Sequence, residues 1–345
     1  MRPSYLFAAA IAVLASSGLA QESTSTGPYK ILKTAKVGGS GGYDYVNADA
    51  EGRRLYVART GPMPRVNVYN LDTLEPVGEV ASTNAHGAVV DARSDHGFVS
   101  SKPILMFDAK TLAAIRTIDV QGNPDGMLFD KSDERVYVLS HSAPHVTVID
   151  AKDGAVLGTV DIGGMPEQAA SDGKGHLYID VEDKANIAVV DTKTLMVTAH
   201  YDVAGKGGTC AGLAMDVKNR ILFAMCRNPA NMVILSADDG KIITTLPIGN
   251  GSDGASFNPK TKEAFSSQGD GTLTIVKESS PSSFVVEQTL QTMMGARTST
   301  LDTKTGHIIL IGAEFGPPTP PAQPGGRPGR GQIVPDSFTI LMVGK

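Results

Sequence analysis

The chain has 345 residues, a formal net charge of -5, 38 glycines, 20 prolines, two cysteines and no tryptophan. An acidic balance without a long Lys/Arg block argues against a general nucleic-acid surface or an anionic-membrane surface, and no segment beyond the N-terminus is apolar enough to span a bilayer. Short runs of Val, Ile and Thr between Gly- and Pro-containing breaks predict many short strands joined by tight turns.

The first element is Arg2, an apolar run from Tyr5 to Leu14, and the small residues Gly18-Leu19-Ala20, which together read as a secretory signal over residues 1–20 with cleavage after Ala20. The apolar run is shorter than the roughly 20 residues of a membrane span. Gln21 stands where a bacterial lipoprotein would carry its lipidated cysteine. A periplasmic or secreted protein over residues 21–345 is the expectation. It loses one positive charge with the signal, so its net charge is about -6.

Next comes a strand at Tyr29–Val37 followed by Gly38-Gly39, and then a unit that recurs. Glu51-Gly-Arg-Arg-Leu-Tyr-Val-Ala, Asp133-Glu-Arg-Val-Tyr-Val-Leu and Lys218-Asn-Arg-Ile-Leu-Phe-Ala each lead from a polar turn into a β-rich run. A second run follows, usually ending on a turn-forming residue, as at Val66–Asn70, Ile104–Asp108, Val146–Asp150, Ile187–Asp191 and Met232–Ser236. A third run and a Gly-rich or Pro-containing link complete the unit. The residues opening the innermost strands are Asp44, His86, Asp125, Glu167, Ala211, Asp253 and Arg297, spaced by 42, 39, 42, 44, 42 and 44. Seven units of roughly 40 residues predict an all-β, seven-bladed propeller of four-stranded antiparallel blades, with starts near 42, 84, 123, 165, 206, 251 and 294. The last unit ends at Ser337–Val343, one strand short, so Tyr29–Val37 is expected to close the ring and cover both edges.

The units Arg135-Val-Tyr-Val-Leu, Val146-Thr-Val-Ile-Asp150 and Gly158-Thr-Val-Asp-Ile-Gly-Gly164 resemble the YVTN-type β-propeller repeat, and the mature chain resembles the YncE-like exported propellers. The resemblance implies a periplasmic or secreted binding protein. It is specific for fold and poor evidence for function, because one propeller scaffold carries unrelated activities. Blades 6 and 7 depart from the pattern, with Lys277 and Met342 where other blades carry Asp or Asn.

The seven strand openers would meet at one end of the channel. Four are carboxylates, one is His86 and one is Arg297, a set that repels itself unless a cation, a proton or the arginine compensates it. A second ring, at the ends of the second strands, reads Thr60, Lys102, His141, Glu182, Arg227, Gly269 and Glu314. The ligand-binding candidates are Asp44, His86, Asp125, Glu167, Asp253 and Arg297 with His141, Glu182 and Arg227; a divalent cation in the channel would use Asp125, Glu167 and His86. The loop from Phe315 to Pro335, with Arg327 and Arg330 among glycines and prolines, is far longer than its counterparts and suits a lid or a docking strap.

Templates for a nucleophile elbow, a zinc-protease helix, a haem-binding Cys-x-x-Cys-His or a phosphate loop are missing. The preferred reading is a monomeric, non-catalytic protein binding a partner or a small polar ligand through its channel face. The alternative is a channel-centred enzyme such as a metal-assisted lactone hydrolase or a lyase, with His86 or His141 as base. DNA binding enters only as what the resemblance implies, and the acidic balance opposes it. Cys210 and Cys226 should form a disulfide, since pairing about a turn at Asp216–Arg220 sets them opposite one another.

Overall fold

A computed structural model describes residues 26–320, 329 and 331–345. Residues 1–20, where a secretory signal is expected, and Arg327 and Arg330 of the long loop lie outside the described residues. In the first five units the turn-forming residue at the end of the third strand acts through its side chain. Asn70 Oδ1 accepts the N–H groups of Asp72 and Thr73, Asp108 Oδ1 those of Lys110 and Thr111, and Asp191 Oδ1 those of Lys193 and Thr194. These side-chain turns reverse the chain locally. Each strand therefore pairs antiparallel with the one before it.

The described residues form 28 strands in seven four-stranded antiparallel sheets, with one short 3-10 turn at Glu182–Lys184. Blade 1 is β2 (Val46–Asp49), β3 (Arg54–Arg59), β4 (Arg65–Asn70) and β5 (Pro76–Ala81), and blades 2 to 6 repeat it through β25 (Ser283–Gln291). Blade 6 differs as the sequence departs. β24 (Thr272–Ser280) runs straight through Lys277 and pairs nine-residue β25, because no Asp or Asn side chain turns the chain there. Blade 7 contains β26 (Thr298–Leu301), β27 (Ile308–Gly312) and β28 (Thr339–Gly344), completed by the N-terminal β1 (Lys30–Lys36) antiparallel to β28. The expected closure is present, with strand ends one or two residues from those read in the sequence.

The core is seven apolar clusters among the described residues, one at each seam between neighbouring blades. At the seam of blades 2 and 3, for example, Phe98, Ile104 and Met106 pack on Val136, Val138 and Ile149. Each such side chain contributes about 1.5–3 kcal/mol when fully buried. No blade buries its faces alone, so closure is a condition of stability for all of them.

Two polar devices lock the closing seams. Arg59 is fully buried, stacks over the Phe338 ring at 3.5 Å and donates to the carbonyls of Gly38, Ser40 and Gly42. Gly39, at φ +91°, lies against that guanidinium, so the Gly38–Gly42 run is a cradle of carbonyl oxygens around an arginine. On the other side, Glu263 has no exposed surface, accepts from Tyr29 Oη at 2.5 Å and pairs with Lys345 Nζ at 2.7 Å. Both partners come from the chain's ends and meet on blade 6.

In blade 5, β18 (Cys210–Asp216) pairs β19 (Ile221–Arg227) with Asp216 opposite Ile221, one residue off the register expected from the turn. The ladder shifts at Ala211, and this single extra residue returns Cys210 to a position opposite Cys226, where the two are bonded. The pairing expected from the sequence is present, but a bulge produces it rather than the turn.

Candidate functional site at the channel mouth

The shift at Ala211 recurs around the ring. In β10 (Pro124–Asp130) Asp125 and Gly126 together oppose Leu139, in β14 (Pro166–Ser171) Glu167 and Gln168 oppose Asp180, and in β22 (Ser252–Asn258) Asp253 is the extra residue. Blades 1 and 2 show the same pattern in their hydrogen bonds: Asp44 N–H donates to Ala58 while Ala58 N–H donates to Tyr45, and His86 and Gly87 share Ser100 likewise. A β-bulge bends its strand and re-aims a side chain. Here it sits on the opener of blades 1 to 6, at one end of the channel.

Asp44, Tyr45, Asp125, His141, Glu167, Arg227, Gly251, Asp253 and Arg297 line a cavity of about 320 Å³. His86 and Glu182 stand directly behind these residues. His86 Nδ1 lies 2.7 Å from Asp44 Oδ2 and 3.2 Å from Asp125 Oδ1. His141 Nε2 lies 3.5 Å from Asp125 Oδ2 and 3.9 Å from Glu167 Oε1. Arg227 bridges Glu182, at 3.1 Å, and Asp253, while Arg297 Nε reaches the other oxygen of Asp253 at 2.5 Å. The mouth thus has two halves: Asp253 is paired with two guanidiniums, whereas Asp125 and Glu167 are surrounded by imidazoles, a phenol and other carboxyl groups.

The proton affinities follow this division. The Asp44 carboxylate raises the pKa of His86 through their hydrogen bond, against the effect of burial. Burial raises Asp125, with Asp44 adding to the rise. Burial, with Glu182 and Asp253 close by, pushes Glu167 up to about 10. Asp253 is also raised by burial, though Arg297 and Arg227 pull against it.

Every strand opener named from the sequence lies at this mouth; Ala211 supplies only its bulge. Of the second ring, His141, Glu182 and Arg227 join the site, whereas Thr60, Lys102, Gly269 and Glu314 do not line the cavity. The long loop is drawn together at its base by bridges Phe315–Ile333 and Thr319–Gly329.

Tyr45 was not among the residues singled out from the sequence. Its hydroxyl donates to Glu167 Oε2 at 3.1 Å, and Tyr45 and Glu167 also line a second cavity of about 200 Å³ deeper in the channel, so they form the partition between the two. Burial, then Glu167, holds its pKa well above the usual phenol value, which keeps the hydroxyl a donor. The residues after the openers are Tyr45, Gly87, Gly126, Gln168, Gly212, Gly254 and Thr298. A side chain on Gly87 or Gly126 would come within 3.5–3.6 Å of Tyr45, and one on Gly126 within 2.9 Å of the Glu167 carbonyl. A lone tyrosine in a column rich in glycine was the available signal.

The chain matches no family model and no curated protein. Among solved structures it is similar to a chain of the mitotic checkpoint complex, with a TM-score of 0.68 and 13% identity over 90% of this chain and 96% of that one. It is also similar to U3-55K, with a TM-score of 0.69 and 9% identity over 91% and 98%. Both neighbours are WD40-type propellers, and at such low identity the likeness concerns the fold alone.

Proposed function

We propose that this is an exported, non-catalytic propeller of the YVTN-like kind that binds a small, cation-bearing polar ligand in the mouth of its channel. One observation carries the reading: residues spread over some 250 positions, from Asp44 to Arg297, meet around a single cavity with five carboxylates against two guanidiniums. Carboxyl groups crowded in this way hold protons or take up a positive ligand in their place. Export is supported by the Cys210–Cys226 disulfide, since such bonds persist in oxidising compartments, and by the signal pattern at 1–20. The WD40-type neighbours are compatible with a binding role.

Native mass spectrometry of protein prepared from its host without chelator tests this. A bound species should accompany the wild-type chain and be absent from the Asp125→Asn/Glu167→Gln double variant. The reading fails if the wild type retains nothing, or if a folded double variant retains the same species.

A further inference from the structure

Two sets of metal-capable side chains share Asp125 at the mouth: Asp44, His86 and Asp125 on one side, and Asp125, His141 and Glu167 on the other. The first is already closed by a proton. His86 Nδ1 sits at hydrogen-bond distance, 2.7 Å, from Asp44, and any cation there would have to displace that bond. The second set is different in kind. His141 Nε2 is a buried atom with no hydrogen-bond partner among the described residues, and its separations of 3.5 and 3.9 Å from the two carboxylates are too long for good hydrogen bonds. They suit neighbouring ligands of one ion. Some point lies within about 2.8 Å of all three donor atoms when these are within 4.8 Å of one another, so small side-chain rotations bring them to the range of metal–nitrogen and metal–oxygen bonds, about 2.0–2.4 Å.

A second observation concerns the carboxylates themselves. Asp125 is only 7% exposed and lines the cavity; its backbone carbonyl accepts from Ser100 Oγ, but its carboxylate accepts no hydrogen bond among the described residues. Its Oδ2 faces His141 and its Oδ1 faces His86, which Asp44 holds in place. Glu167 has Oε1 toward His141 and Oε2 accepting from Tyr45, and its carboxyl group also hydrogen-bonds that of Glu182. Metal-binding carboxylates are commonly held by outer hydrogen bonds of this sort.

We propose that Asp125, His141 and Glu167 are the protein ligands of one divalent transition-metal ion, held in the channel mouth with its remaining positions open to the cavity. This rests on the channel-mouth reading above and gives its ligand a chemical class. One imidazole nitrogen with two carboxylate oxygens suits Mn²⁺, Fe²⁺ or Zn²⁺ better than Mg²⁺ or Ca²⁺, which take oxygen ligands. His86, Asp44 and Tyr45 are positioning residues that orient the ligands.

The test is Mn²⁺ binding to chelator-stripped full mature protein, followed by electron paramagnetic resonance with detection of nitrogen coupling, and displacement by Zn²⁺. One ion should bind, coupled to one imidazole nitrogen and displaced by Zn²⁺. His141→Ala should lose the nitrogen coupling and weaken binding by about 10-fold or more, while His86→Ala keeps the coupling and only weakens binding. His141→Gln serves as a second variant, with circular dichroism confirming the fold. The proposal is overturned if neither ion binds at about 1 mM, if Mn²⁺ binds without nitrogen coupling, or if the coupling survives His141→Ala. A species lost from the Asp125→Asn/Glu167→Gln variant, found alongside any of those results, would leave the channel-mouth reading standing and remove only the cation.

Discussion

Glu263 and Glu167 are both buried, yet their surroundings push their carboxyl groups in opposite directions. At the seam of blades 6 and 7, burial alone would raise Glu263, but Lys345, Thr261 and Tyr29 outweigh it and hold its pKa down at about 2. At the channel mouth, burial and the neighbouring Glu182 and Asp253 push Glu167 up to about 10. Burial penalises charge at both places, and the sign of the neighbours decides the outcome. The seam spends no charge uncompensated, which is what a structural joint requires. The mouth gathers carboxyl groups that its own cations do not offset, so they hold protons that a positive ligand can replace.

The strongest way to break the comparison is to remove the seam. Deleting residues 21–40 takes away β1, Tyr29 and two of the three carbonyls around Arg59 together. Stranding one buried charge costs about 3–5 kcal/mol, and the reopened edge adds to that. The truncated chain should not melt as a cooperative unit at the wild-type temperature; a circular dichroism melt superimposable on that of the full mature protein would show that the seam is not a joint.

Next in size is the Cys210–Cys226 bond, whose closed loop spans a sequence separation of 16. Replacing both cysteines by serine should cost about 3 kcal/mol in urea denaturation, and no thiol should react with an alkylating agent in unfolded, unreduced protein. Two reactive thiols would contradict the bond outright.

The two glutamates themselves give a smaller and sharper contrast. Glu263 binds its proton less tightly folded than unfolded, so its stabilisation is present above pH 4.5 and lost as the pH falls toward 2. Glu287 beside it shifts the other way through burial and its contact with Glu263, which trims the net contribution. Glu263→Gln should lower stability at neutral pH and flatten the acid limb of the curve. Glu167 has the reverse sign: folded protein holds its proton more tightly, so stability falls as the pH rises from 4.5 toward 10. Glu167→Gln should therefore be neutral or slightly stabilising at pH 8, and Tm measured across pH 3–9 would reveal two slopes of the same sign if the comparison is mistaken.

Much of the architecture could be read before any coordinates. Seven spaced openers gave the blade count, the missing strand after Val343 pointed to Tyr29–Val37, and the cysteine pairing was right. These follow from periodicity and from turn residues, such as Asn70, Asp108 and Asp191, whose side chains act on the backbone two or three positions away. Local chemistry of that kind is written in the chain. The departure at Lys277 was visible too, although its effect, a longer hairpin, was not.

What the linear order did not carry was set by contacts between residues far apart. A bulge needs a partner strand to be defined, so neither the extra residue at Ala211 nor the bulges that present Asp125, Glu167 and Asp253 could be inferred from spacing. The same holds for Tyr45, which reaches across the channel to a glutamate 122 positions away, and for Arg59, whose ring partner is Phe338. The sequence by itself determined that the ring has seven blades and which residues open their innermost strands, because repeat period and strand alternation are local properties. Only the closed ring decided which oxygen of Asp125 faces which histidine and which buried carboxylates have a cation beside them, since those are distances across the channel and through the seams, and electrostatic energy depends on distance in space rather than along the chain.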